Sequence, residues 1–262
     1  MSFVETESGL RVHYALSGNA GGPVVLFSNS LGTNLSLWDG QAAVLEKSYQ
    51  VLRYDTRGHG QTGVTPGPYT IEQLGKDAVQ LLDRLEIERA HFCGISMGGL
   101  IGQWLGIHAP GRVERLALCS TGPKIGTPET WNPRIEAIRK SGMKPVAAAV
   151  IERWLTPEFR AREPEATARA VRMLEQSPAD GYIANCEAIR EADLRADVGK
   201  IRAPAMVVMG NQDPATTPAL GRGLAEAIPG ARYVELEGSH IINVEAAREF
   251  NQALGEFLSG AT

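Results

Sequence analysis

Gly94-Ile95-Ser96-Met97-Gly98 is the stretch on which the fold turns. It stands between an apolar run, Ala90 to Cys93, and a helix-like run, Leu100 to Ala109, so the pattern predicts a strand, a sharp turn and a helix. A serine framed by glycines in that setting has the form of a nucleophile elbow. The turn is too tight for side chains at its flanks and holds the serine in a strained backbone conformation. The strain lifts the hydroxyl clear of the sheet, and the N–H of Met97 faces the space where an oxyanion would develop. A turn of this kind can also be purely structural, and its context is what favours a nucleophile.

A serine hydroxyl is a poor nucleophile near neutrality, so it needs a histidine base, and the histidine needs an acid to hold its tautomer and offset its charge. The chain supplies both in the order Ser, Asp, His. Asp213 follows the apolar run Ala205 to Met209, at the carboxyl end of an expected strand, where open α/β sheets place their sites. Its other reading is a turn aspartate capping the helix that starts at Pro218; both roles fit the position, but not one carboxylate orientation. His240, after the last expected strand, is the base, the alternative being an exposed loop histidine. Phe27-Ser28-Asn29-Ser30-Leu31-Gly32 offers a second oxyanion donor in the N–H of Leu31, or else an ordinary Asn/Gly turn.

Apolar runs alternate with amphipathic stretches along the chain, which predicts a mostly parallel, twisted sheet flanked by helices, an α/β fold. Expected strands are Arg11 to Ser17, Val24 to Phe27, Gln50 to Tyr54, the elbow strand, Val113 to Cys119, Ala205 to Met209 and Ala231 to Leu236. Thr70 to Leu85 reads as a helix capped by Thr70, and Val244 to Leu258 as a closing helix. Between Cys119 and Ala205 there is no strand character. Helix-like stretches broken by prolines at 123, 128, 133, 145, 157, 164 and 178 predict a helical cap over residues 122–192, inserted between core segments 1–121 and 193–262. That insertion carries eleven Lys and Arg against ten Asp and Glu, in a chain of net charge −4.

At 262 residues the chain suits one domain with an insertion. The charge gives no basic footprint for nucleic acid or an anionic membrane, and no apolar run approaches the roughly 20 residues of a membrane helix. No export signal is legible at the start, so the expected compartment is the cytoplasm. Cys93, Cys119 and Cys186 lack metal-like spacing, and no metal site is expected. His13, His91 and His108 read as packed or surface histidines. Nothing in the sequence speaks to oligomeric state.

With elbow, acid, base and oxyanion loop together, the chain resembles the α/β-hydrolase family over nearly its whole length. Tyr54-Asp55-Thr56-Arg57-Gly58-His59-Gly60 matches that family's loop after the strand preceding the elbow, where aspartate and arginine are structural, and His59 accordingly reads as scaffolding. Ser28-Asn29-Ser30-Leu31-Gly32-Thr33, Gly94-Ile95-Ser96-Met97-Gly98-Gly99 and Gly210-Asn211-Gln212-Asp213 are similar to the 3-oxoadipate enol-lactonase branch. Most relatives carry His-Gly where this chain has Asn29-Ser30, a substitution typical of that branch. Serine rather than aspartate at position 96 separates the chain from haloalkane dehalogenases.

The resemblance implies cofactor-free opening of a small anionic lactone, 3-oxoadipate enol-lactone, by Ser96, Asp213 and His240 through an acyl-enzyme. The substrate's carboxylate must be paired if the cap excludes water. Arg134, in Trp131-Asn132-Pro133-Arg134, is the chosen partner, with Arg139, Lys124 and Arg153 as rivals. Trp131 and Trp154 are the aromatic candidates for the cavity wall, packing within the cap being the alternative for Trp154 and Met173. The competing activities are a general carboxylesterase and a carbon–carbon bond hydrolase of ring-cleavage products; the non-enzymatic one is a small-molecule receptor on the same fold.

Overall fold

Val24–Ser28 (β3) and Ala90–Ile95 (β5) lie side by side and parallel at the middle of an eight-stranded sheet, in a computed structural model that describes residues 2–260. Both strands are almost wholly buried, as parallel strands covered on two faces must be. Gln50–Tyr54 (β4) pairs with the other side of β3, and Val113–Cys119 (β6), Ala205–Gly210 (β7) and Arg232–Leu236 (β8) continue parallel beyond β5. Arg11–Gly18 (β2) runs antiparallel to β4, and Ser2–Glu5 (β1) antiparallel to β2. The order is β1-β2-β4-β3-β5-β6-β7-β8. The chain leaves β3 for one side of the sheet and returns on the other, so the crevice above β3 and β5 is where an open sheet offers a site.

Asp39–Leu45 (α1), Ile71–Arg84 (α2) and Met97–His108 (α3) belong to the sheet's flanking layers. The expected cap of α2 is present: Thr70 Oγ1 accepts the Gln73 N–H at 3.1 Å, and Ile71, Leu74, Ala78, Leu81 and Leu82 face inward. Between β6 and β7 stand five helices, Pro128–Ser141 (α4), Lys144–Trp154 (α5), Pro157–Arg162 (α6), Pro164–Glu175 (α7) and Ala179–Glu191 (α8), with α4 packed on α8 and α5 on α7. Prolines open four of them, at positions where the N–H has no intrahelical acceptor. Pro133 breaks nothing. It sits in the second turn of α4, where only one backbone bond, to the Glu129 carbonyl, is lost.

Pro218–Ala227 (α9) follows β7. The closing helix is divided at Ala246 into Ile242–Glu245 (α10) and Ala247–Ser259 (α11). The division frees the Glu245 side chain to turn toward Ser239 and Thr156 while Phe250, Leu254 and Phe257 stay in the core. Among the described residues no helix is long and apolar enough to cross a membrane.

Candidate active site

Ser96 lies between β5 and α3 at φ 57° and ψ −112°, a left-handed conformation on the order of 1–3 kcal/mol above ordinary backbone for a non-glycine residue. Its neighbours impose it. The Ser96 N–H donates to the Cys119 carbonyl at 2.8 Å, and the Thr121 hydroxyl donates to the Ser96 carbonyl at 2.9 Å. The flanking glycines are needed for close approach: a Cβ at Gly94 would stand 2.2 Å from the Gly98 carbonyl oxygen, and one at Gly98 2.2 Å from that of Ser28. Strand and helix therefore close up as the motif requires.

Asp213 follows β7, and its carboxylate is buried. Oδ2 accepts from His240 Nδ1 at 2.7 Å and from the Thr216 hydroxyl at 2.6 Å. Oδ1 accepts the N–H groups of Ala215 and Thr216 at 2.7 and 3.0 Å. The carboxylate meets His240 and the N–H groups of its own turn in one orientation, and it does not cap α9; Thr217 does, its side chain accepting from the Leu220 N–H, so the capping alternative is not realised. Burial works to raise the Asp213 pKa, yet the His240 charge and the Thr216 donors outweigh it and hold the carboxyl below its usual value.

Ser96 and His240 open onto one cavity of about 170 Å³, and both are buried. Among the described residues no hydrogen bond joins Ser96 Oγ to the imidazole, a contact that commonly tightens only when ligand fills the site. With Nδ1 held by Asp213, Nε2 is the ring nitrogen left for proton transfer. Ser30 and Leu31 both line the cavity. Met97 is the first residue of α3, so its N–H lacks an intrahelical acceptor.

The oxyanion loop is held from two directions. His59 Nε2 accepts the Gly32 N–H at 2.8 Å, and the Tyr182 ring and a Leu174 methyl group from the cap crowd Gly32 so closely that a Cβ would meet them at 2.8 and 2.5 Å. Full burial pushes the His59 pKa down to about 4, which keeps the ring neutral and able to accept. His13, read as merely packed, has a partner: its Nδ1 lies 2.7 Å from Asp55 Oδ2. Asp55 Oδ1 in turn accepts the Leu35 N–H at 2.7 Å. Arg57 makes a two-bond ion pair with Asp77, at 2.7 and 2.6 Å, so the Asp55–Gly60 loop is scaffolding throughout.

The cap supplies the cavity's remaining wall. Trp131, Val150, Trp154 and Tyr182 line it, with Trp131 Nε1 donating to the Ile125 carbonyl at 2.8 Å. Arg134 and Arg153 both reach it, the Arg134 guanidinium lying 4.8 Å from the Trp131 ring centre. Burial, and then the charge of Arg134, lower the Arg153 pKa. The other two rivals are occupied elsewhere: Lys124 pairs with Asp193 and Arg139 with Glu187. Met173 faces a separate cleft. Tyr182 went unmarked in the sequence; a tyrosine in a half-polar helix carries no signal of where its ring will point. Among the described residues no group of three or more His, Cys, Asp or Glu is placed to hold a metal ion.

Comparison with known proteins supplies the family. The sequence is 45% identical over 249 residues to 3-oxoadipate enol-lactonase 2 of Acinetobacter baylyi, covering 95% of this chain and 93% of that one. It is 35% identical over 255 residues to that organism's 3-oxoadipate enol-lactonase 1, covering 97% and 96%. The enol-lactonase of Burkholderia xenovorans superposes with a TM-score of 0.97 at 47% identity, covering 98% of this chain and all of the other. A sequence profile described as the alpha/beta hydrolase fold matches residues 23–247. The chain belongs to the alpha/beta hydrolase fold family.

Proposed function

We propose that the chain hydrolyses 3-oxoadipate enol-lactone to 3-oxoadipate through a Ser96, His240 and Asp213 triad, with residues 122–192 acting as the cap. The observation that carries this reading is the pairing, in one small cavity, of Ser96 and His240 with two cap arginines, Arg134 and Arg153, beside the 45% identity to a protein named for that reaction. Two cations beside one cavity suit an anionic lactone better than a neutral ester.

His240 Nε2 removes the Ser96 proton as Oγ attacks the ring carbonyl, and the tetrahedral oxyanion is held by the N–H groups of Leu31 and Met97. Collapse breaks the ring C–O bond. The departing oxygen is an enolate, less basic than an alkoxide, so it needs little help from the proton that His240 returns to it. The opened chain stays on Ser96 as an ester. Water, deprotonated by His240, attacks that ester and releases the acid; Ser96 recovers its proton, and the enol tautomerises to the ketone. Asp213 keeps Nδ1 as donor and balances the imidazolium at each half-reaction.

Arg134 and Arg153 pair the substrate's carboxylate, and Trp131 and Trp154 enclose its apolar ring edge. Following the loss of enol-lactone absorbance beside hydrolysis of p-nitrophenyl acetate tests the assignment. The lactone is expected to be preferred in kcat/KM by orders of magnitude; equal or reversed preference would make the protein a general carboxylesterase.

A further inference from the structure

The last carbonyls of a helix lack donors within it and must find them elsewhere. At the end of α5 the donors come from the turn that carries His240. Ser239 Oγ donates to the Arg153 carbonyl at 2.8 Å, and the Ile241 N–H donates to the Trp154 carbonyl at 3.0 Å. His240 is therefore bracketed, one residue before and one after, by bonds to the cap. A carboxylate closes the same junction. Glu245 Oε2 accepts the Ser239 N–H at 2.8 Å, while Oε1 accepts the Thr156 N–H at 3.2 Å and the Thr156 hydroxyl. Thr156 stands two residues beyond α5 and caps α6, and both it and Ser239 are buried. Bonds to an ionised acceptor are among the stronger ones a protein makes.

We propose that Glu245, acting with Ser239, is a positioning residue that locks the end of α5 to the His240 turn, so that docking of the cap sets the reach of the base toward Ser96. This rests on the function proposed above and deepens it. The core side of the turn is held separately: Asn211 Oδ1 accepts the Gly238 N–H at 3.1 Å, and the Gln212 N–H donates to the Gly238 carbonyl at 2.9 Å, beside Asp213. The acid is thus placed by the core, and the base by core and cap together. Arg153 and Trp154, whose carbonyls hold the turn, also line the cavity with their side chains. A carboxylate gripped by Arg153 braces the backbone that fixes His240. Binding energy from a group remote from the ring then appears in kcat as well as in KM, and an ester lacking that carboxylate gains none of it.

Glu245→Gln tests the lock, because one amide oxygen and one NH2 replace two acceptors and leave one donor site facing a donor. Ser239→Ala removes the bond to the Arg153 carbonyl without touching Glu245. The readouts are the second-order rate of Ser96 acylation by a fluorophosphonate and the Kd for 3-oxoadipate by calorimetry. Acylation is expected to fall by roughly tenfold or more in each variant, since small misplacements of a base are that costly, while the product Kd stays within about twofold of wild type. The double variant is expected to lose less than the two single losses multiplied, because both act through one turn. Acylation within twofold of wild type in both single variants would overturn the inference, and so would product binding that weakens in step with acylation. Wild-type protein that is not acylated at all would overturn the proposed function itself.

Discussion

The Asp213 carboxylate holds His240 Nδ1 at 2.7 Å with one oxygen while the other takes the backbone N–H groups of its own turn. The carboxylate is fixed on the imidazole by its own turn. Its lowered pKa keeps it charged through the range in which a histidine base works.

Asp213→Asn preserves the shape but removes the charge that balances an imidazolium and the preference for an Nδ1 donor. We expect kcat on the enol-lactone to fall on the order of 10³- to 10⁴-fold with KM little changed. Steady-state kinetics check it; a loss under tenfold would assign Asp213 to the turn alone.

The two cap arginines are expected to act on KM, and Arg153, whose carbonyl is bonded to the His240 turn, on kcat as well. Arg134→Ala and Arg153→Ala each remove one charge from the carboxylate's surroundings, so each should raise KM for the lactone roughly tenfold or more, a loss of about 1.4 kcal/mol. KM for p-nitrophenyl acetate should barely move. Equal effects on both substrates would take that arginine out of the binding site.

His59 gives a pH signature. Its pKa is near 4 in the folded protein against an ordinary 6.5, so the unfolded chain binds the proton more readily. Stability from the neutral ring is fully present above pH 6.5 and is lost as pH falls from there toward 4, amounting to about 3 kcal/mol. His59→Gln keeps an acceptor for the Gly32 N–H and cannot titrate. Urea unfolding of this variant is expected to show a flatter acid limb than wild type, the residual slope including His91, whose pKa burial also lowers. Identical acid limbs would mean that His59 is not the titrating group.

Arg57→Met would strand the buried Asp77 carboxylate, and we expect a loss of about 3–5 kcal/mol at neutral pH. Burial already pushes the Asp77 pKa up. Without its partner the carboxyl can escape by taking a proton, so the deficit should shrink as pH falls. Denaturant midpoints at pH 5 and 8 distinguish this from simple lost packing, whose cost would not change.

The elbow, the sheet class and the places of Asp213 and His240 after strands were legible because each is a local pattern: glycines about a serine, and apolar runs ending in turns. Ser2–Glu5 escaped notice as a strand because four residues, mostly exposed, show no period. The split at Ala246 escaped because α10 and α11 share one apolar pattern, and the contacts of Glu245 with Ser239 and Thr156 that accompany it are tertiary. The sequence singles out Arg134 with Arg153 only as a rival, and that both line the cavity was not legible, since which way a cap helix faces depends on its packing against α7 and α8. The dual use of the Asp213 oxygens is likewise invisible in spacing alone.

The central claim is that Ser96 opens the lactone. Its most direct measurement is the rate at which wild type and Ser96→Ala consume 3-oxoadipate enol-lactone at neutral pH. The account predicts turnover by wild type and a fall of roughly 10⁴-fold or more in the variant, with 3-oxoadipate still bound. Turnover that survives the loss of the Ser96 hydroxyl, or wild-type protein inert toward the lactone, would contradict it.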